Sequence, residues 1–227
     1  MSKFTQQTLK QKILDVKNAL TLLKQENFPQ QLSEYGYNQE TIAIGQRLYE
    51  EASALIAEKN AADLNMKRAL QKIDKAIEIA KTFYNEQVAI ARVAFTKDPM
   101  CSKILNINGR RKKTFNGWVK QAETFYFYAQ NPEILVHLQR FGTTLAKLHH
   151  GQQLITKLSD LYSKKIDTKG LAQVATESRN KKCAELFAWY WDFKRIAQIA
   201  LGKNSQQLER FGITVYSSGN KPKKNAE

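Results

Sequence analysis

One half of the amino-acid sequence resembles the other half. The two halves align when residue 28 is placed on residue 134, and this shift along the chain is called here the repeat offset. Residues 28–107 align without a gap onto residues 134–213, and 16 of these 80 pairs are identical, where unrelated chains share about 5. A chain that repeats one unit folds each copy around the same apolar pattern. The repetition therefore predicts a duplication, with a first helical repeat at 1–108, a second at 109–217 and a basic flexible tail at 218–227.

Apolar residues recur every three or four positions in both halves, as they do on an amphipathic helix. The only strand-like run is Ile213–Tyr216, close to the end of the chain. The pattern predicts an all-α protein in which two tandem, duplicated three-helix units form an elongated helical bundle. The predicted helices lie near 3–26, 39–60, 62–96, 113–130, 143–165 and 168–201.

A shorter pattern of a leucine, an aromatic residue and a glycine recurs within each half. It includes Gly36, Gly142 and Gly212, and at the fourth equivalent position Asn106 replaces the glycine. Glycine and then asparagine best tolerate the left-handed backbone that ends a helix. These four sites are therefore predicted to close short helical turns. No strand precedes them and no phosphate-binding glycine motif is present, so a phosphate-binding loop is not expected.

The net charge of +15 is unevenly distributed along the chain. Residues 1–106 carry 15 Lys and Arg against 12 Asp and Glu, whereas residues 107–227 carry 21 against 9. The second half, at +12, is the candidate for contact with a polyanion, although a solvated surface that keeps the protein soluble explains the same charge. The candidate polyanion-binding residues are Arg110, Arg111, Lys112, Lys113, Lys164, Lys165, Lys181 and Lys182.

Aromatic residues are concentrated on two helices of the second half. A helix that is aromatic on nearly every side cannot bury every ring against one neighbour. It either lies centrally in the bundle or offers one side to a partner, and tryptophan and tyrosine are favoured anchors of protein interfaces. The candidate interface residues are Trp118, Phe127, Trp189, Trp191 and Phe193.

No set of residues with the spacing of an enzyme active site is evident. His149 and His150 are adjacent, so on a helix they point about 100° apart and cannot act as a one-face metal pair. His137 and Cys183 have no catalytic partner by sequence, and the two cysteines lack zinc-site spacing. The sequence therefore predicts no catalytic residues, no metal site, no cofactor and no small-molecule substrate.

The segment 187–217 resembles a C-terminal signature of uncharacterised all-helical bacterial proteins, many from Bacteroidetes and cyanobacteria. In those proteins a helix of the pattern aromatic-Asp-Phe-x-x-Ile-Ala-x-x-Ala-Leu leads into a Leu-Leu-x-x-Leu-Gly-Ile turn. The resemblance implies an all-helical fold and carries no transferable activity. Here the signature is carried by Trp191, Asp192, Phe193, Ile196, Ala197, Ala200, Leu201, Leu208, Phe211, Gly212 and Ile213.

These observations favour a non-catalytic helical scaffold or assembly protein that contacts copies of itself or another protein through its aromatic-rich helices. The first alternative is a nucleic-acid or other polyanion-binding protein that uses the basic second half. The second alternative, and the least favoured, is peripheral contact with an anionic membrane. The two unpaired cysteines and the charged N-terminal region predict a cytoplasmic location.

Overall fold

The computed structural model describes residues 8–24, 29–202, 205–213 and 215, and these residues form helices and no strand. The prediction of an all-α helical bundle is confirmed. Part of the strand-like run Ile213–Tyr216 and all of the tail 218–227 lie outside the described residues. The helices are α1 (Leu9–Leu23), α2 (Pro29–Ser33), α3 (Gln39–Ala94), α4 (Pro99–Ile104), α5 (Phe115–Ala129), α6 (Pro132–Gln139), α7 (Leu145–Ala200) and α8 (Gln207–Arg210).

The bounds of α5 and α7 are those of α1 and α3 moved by the repeat offset. The side chains that cap the starts of these helices also lie at positions related by the repeat offset. The side chains of Thr8 and Thr114 accept hydrogen bonds from backbone N–H groups at the starts of α1 and α5. Asn38 and Thr144 do the same before α3 and α7. Each of these side chains satisfies one of the N–H groups that a helix start leaves without an intrahelical partner.

The helices α3 and α7 each run for 56 residues, whereas the sequence predicted two separate helices in each region. No residue between Ala52 and Ile73 of α3 is buried. The row of buried apolar residues is interrupted there, as it would be at the end of a helix. The intervening residues include neither glycine nor proline, and most of them favour a helix. The backbone of α3 therefore remains helical through the gap. Because α3 and α7 are both continuous, the predicted breaks at 60–62 and 165–168 are wrong.

The chain divides into two compact units whose boundaries fall inside α3 and α7. One unit contains residues 1–60 and 174–227 and is called here the discontinuous unit; the other, residues 61–173, is the contiguous unit. Each unit therefore combines the first part of one predicted repeat with the last part of the other. The repeat boundary predicted between residues 108 and 109 lies within the contiguous unit.

Each unit has its own apolar core, and many core positions correspond through the repeat offset. Tyr84 is buried in the contiguous unit and Tyr190 in the discontinuous unit. The hydroxyl of Tyr190 donates a hydrogen bond of 2.8 Å to the carbonyl oxygen of Phe211. Burial raises the pKa of Tyr84 to about 12, against a smaller opposing effect of Arg111 and Arg92. Burial is also the main cause that raises the pKa of Tyr190, so both tyrosines remain neutral core residues at physiological pH.

All four predicted turns contain a residue in the left-handed conformation. The φ angle is 88° at Gly36, 80° at Gly142, 71° at Gly212 and 52° at Asn106. At each turn the N–H of this residue bonds to a carbonyl three residues earlier, and the next N–H bonds to a carbonyl five residues earlier. This pair of hydrogen bonds is the Schellman closure of a helix, so the structural role predicted for these positions is confirmed.

Two glycines inside the long helices allow close packing against aromatic rings. A Cβ atom at Gly45 would overlap the ring of Trp189, and one at Gly151 would overlap the ring of Tyr126. These two glycines are equivalent through the repeat offset, but the rings that cover them come from α7 in one unit and α5 in the other. The missing side chain therefore lets a large ring lie against the helix backbone in each unit.

Candidate interaction surfaces

The basic segment Arg110 to Lys113, called here the basic arm, lies between α4 and α5 in the contiguous unit. Gln121 of α5 is buried, and it both donates to the carbonyl of Asn106 and accepts from the N–H of Lys112. The guanidinium of Arg111 bonds to the side-chain oxygen of Asn85 and lies 5.7 Å from the ring centre of Tyr84. The arm is thus fixed at Arg111 and Lys112.

Apart from Arg111, the side chains of the basic arm are exposed, and Lys112 is held only through its backbone; the exposed side chains are those of Arg110, Lys112 and Lys113. Beyond the arm, the rings of Phe115 and Tyr162 stack with their centres 4.2 Å apart and their planes inclined by 15°. The amine of Lys165 lies 5.1 Å from the centre of the Tyr162 ring, and Lys164 is exposed. The structure therefore brings the arm together with an aromatic stack and a second basic cluster within one unit.

The remaining predicted basic residues, Lys181 and Lys182, belong to the discontinuous unit. The Lys182 amine forms ion pairs with Glu185 at 2.7 Å and with Glu51 at 2.9 Å. These two carboxylates raise the pKa of Lys182. The Lys182 amine therefore stays charged, and its charge is compensated by the two carboxylates. Lys182 is therefore a poor contact for an external anion, whereas Lys181 is exposed.

The structure corrects part of the predicted aromatic interface. Trp118 is only 3% exposed and Phe193 is fully buried, because each packs into the core of its unit. Trp189 is partly buried and donates a hydrogen bond of 3.3 Å from its indole to the carbonyl of Thr41. Phe127 and Trp191 are 68% and 57% exposed. Of the five predicted residues, these two are the ones available for a partner.

A groove in the contiguous unit was not anticipated from the sequence. Its volume is about 590 Å³, and its walls come from α4, α5 and α6 with their connections. Met100, Ile104 and Tyr128 line it, and the Tyr128 ring lies edge-on to Phe127 at 5.1 Å between centres. These four large apolar side chains are exposed and are called here the apolar rim. The polar lining residues are Asp98, Cys101, Asn131, Glu133 and His137.

Cys101 is the thiol of the groove, and its surroundings keep it protonated. Asp98 accepts hydrogen bonds from the N–H groups of Met100 and Cys101, and these hydrogen bonds together lower the pKa of its carboxyl group. The same carboxylate accepts a hydrogen bond from the Cys101 thiol, and this contact is the main cause that raises the thiol pKa to about 11. A reactive cysteine needs the thiolate form, so Cys101 is held in its unreactive form.

Two of the three histidines, His137 and His150, pack against aromatic rings. His137 lies 5.9 Å from the Phe95 ring and His150 lies 5.1 Å from the Phe83 ring, both edge-on. Within the described ranges, no three His, Cys, Asp or Glu side chains come together as metal ligands. His137 and Cys101 line the same groove. The sequence feature that indicates the position of this groove is the helix start at Asp98-Pro99, beside Cys101.

No family model matches the chain, and neither the curated proteins nor the solved structures include a significantly similar one. Across the residues that the structure describes, no helix combines the length and apolar character needed to cross a bilayer.

Proposed function

We propose that this chain is a non-catalytic helical assembly protein that associates with further copies of itself through the groove of the contiguous unit. The observation that carries the proposal is the apolar rim, in which Met100 is 75% exposed and Phe127 68%. Aromatic residues and methionine are enriched in protein interfaces. The internal repetition of the chain fits such a role, because we interpret it as a duplication of one helical building block.

Charge favours a second copy as the occupant of the groove. Asp98 and Glu133 make the groove locally acidic, although the contiguous unit carries 19 Lys and Arg against 9 Asp and Glu. The exposed basic arm of another copy complements this groove. A contact between two different surfaces of identical chains is heterologous, so its repetition generates rings or filaments.

The test is sedimentation velocity of the whole chain over a hundredfold range of concentration. We expect the mean mass to rise with concentration, and Met100→Ser to weaken association at least tenfold, because Met100 lines the groove and is 75% exposed. Leu171→Ser is the matched control, because Leu171 is 67% exposed in the same unit but lies outside the groove lining. A monomer at every concentration, or equal effects of the two substitutions, would contradict the proposal.

A second candidate function, polyanion binding, is favoured by the basic arm beside the Phe115–Tyr162 stack. Exposed lysine and arginine provide salt-dependent affinity for phosphates, and aromatic rings beside them stack with unpaired bases. The test is fluorescence anisotropy of a labelled oligonucleotide over a range of salt concentrations. We expect Lys112→Gln combined with Lys113→Gln to weaken binding and to reduce the salt slope by roughly 1 to 2 units.

Lys181→Gln is the control for polyanion binding, because Lys181 is an exposed lysine of the discontinuous unit. Its substitution should leave affinity and salt slope unchanged if the basic arm is the binding element. Absence of binding at low salt would reject the second candidate and leave the assembly proposal untouched.

A further inference from the structure

A small pocket on the discontinuous unit combines aromatic walls with two lysine amines, and it is called here the lysine pocket. Lys12 of α1 lines it together with Phe187, Tyr190, Trp191 and Lys194 of α7, around a volume of about 210 Å³. The Lys12 amine lies 5.6 Å from the centre of the Phe187 ring. The Lys194 amine lies 4.7 Å from the centre of the Tyr190 ring and 5.2 Å from the Trp191 ring.

The contiguous unit uses the equivalent positions differently. Tyr84 corresponds to Tyr190, and there the guanidinium of Arg111 lies over the ring and bonds to Asn85, the counterpart of Trp191. Val88 stands in the position of Lys194. The cation over the tyrosine is therefore an arginine bonded to Asn85 in the contiguous unit, whereas in the discontinuous unit it is Lys194, which lines a pocket.

The charges around the lysine pocket favour an anion. Burial is the main cause that lowers the pKa of Lys194, the charge of Asp15 partly opposes it, and the charge of Lys12 makes a smaller contribution that lowers it further. The guanidinium of Arg195 lies 5.9 Å from the Trp191 ring, which adds a third positive group. The Lys194 amine is partly desolvated and is repelled by the charge of Lys12, so an anion that enters beside them stabilises its charged form.

We propose that the lysine pocket binds a small anion carried on a planar ring, either an aromatic carboxylate or an aromatic phosphate ester. The amines of Lys12 and Lys194 donate to its oxygens, and the ring lies beside the indole of Trp191, which is 57% exposed. The volume is below the range of about 300–1,000 Å³ typical of sites for drug-sized ligands. A single ring with one anionic group therefore fits the pocket.

The first test follows the indole N–H signal of Trp191 by NMR during titration of the intact protein with four probes. We expect phenyl phosphate or benzoate to shift this signal with millimolar or tighter affinity, and the tighter of the two identifies the anionic group. Inorganic phosphate should bind at least tenfold more weakly, and benzylamine should not bind. Inorganic phosphate that binds as tightly as both aromatic probes would mean an adventitious ion only, and would overturn the proposal.

The second test compares lysine substitutions with the tighter aromatic probe. Lys194→Met and Lys12→Met should each weaken binding at least tenfold while the melting temperature confirms a folded protein. Lys81→Met is the matched control, because the Lys81 amine lies 5.6 Å from the Trp118 ring in the contiguous unit. Equal weakening by Lys81→Met, or no weakening by the two pocket variants, would overturn the assignment.

Discussion

The hydroxyl of Thr143 donates a hydrogen bond of 2.8 Å to the side-chain oxygen of Gln87, and both residues are buried in the contiguous unit. The equivalent positions in the discontinuous unit hold Tyr37 and Phe193, whose rings meet edge-on with centres 5.5 Å apart. One pair of positions is thus polar in one unit and aromatic in the other. A single change at either position would leave a buried polar group without its partner, which explains why the two positions differ together.

This relationship predicts the outcome of a double-mutant cycle. Thr143→Val should lower the free energy of unfolding by about 1–3 kcal/mol, because it removes the donor to the buried Gln87 oxygen. Adding Gln87→Leu should restore most of that loss, and chemical denaturation measures both effects. Thr156→Val is the control, since the exposed Thr156 hydroxyl bonds only within its own helix. Additive losses in the double variant would contradict the proposed coupling.

Replacing glycine by alanine should have opposite effects on stability at two positions of α7, Gly151 and Gly170. Gly151→Ala should lower the free energy of unfolding by about 1–3 kcal/mol, because the added methyl overlaps the Tyr126 ring. Gly170→Ala should raise it by up to about 1 kcal/mol, because its Cβ meets open space and alanine favours the helix. Thermal melting of the two variants tests the prediction. Destabilisation by both substitutions would show that open space is not the deciding factor.

The left-handed backbone conformation of Asn106 predicts that glycine and valine at this position will have different effects on stability. Asn106→Gly should leave stability unchanged or increase it, because Gly212 holds the equivalent position with a similar φ angle. Asn106→Val should cost about 1–3 kcal/mol, because a β-branched residue is strained there. Urea denaturation of the two variants checks the prediction. An equal cost for glycine and valine would point to the asparagine side chain rather than the backbone.

The Cys101 thiol predicts a pH profile for alkylation by iodoacetamide. Asp98 raises the pKa of the Cys101 thiol to about 11, so the alkylation rate at Cys101 should keep rising up to that pH. An ordinary thiol has a pKa of about 8.5, and its alkylation rate levels off at lower pH. Asp98→Asn keeps a helix-capping side chain but removes the negative charge, so the midpoint should move to lower pH. Mass spectrometry resolves Cys101 from Cys183. An unchanged midpoint would exclude Asp98 as the cause.

Features determined by neighbouring residues were predictable from the sequence. The turns at Gly36 and Asn106 depend on local backbone conformation, so composition and spacing were sufficient. The burial of Trp118 and Phe193 depends on which helices pack together in each unit, and helical spacing alone does not contain that information. The groove around Cys101 is built from three separate helices, which explains why it was missed. The continuity of α3 was missed because its apolar stripe is interrupted while its backbone is not.

The composition of the two compact units has a consequence for folding during synthesis. The contiguous unit needs only residues 61–173, whereas the discontinuous unit combines residues 1–60 with residues that begin at 174. A ribosome releases the chain from its N-terminus, so α1 emerges long before the end of α7 that completes its core. The contiguous unit can therefore form first. The apolar face of the preceding segment has no complete core to join until the end of α7 has been synthesised.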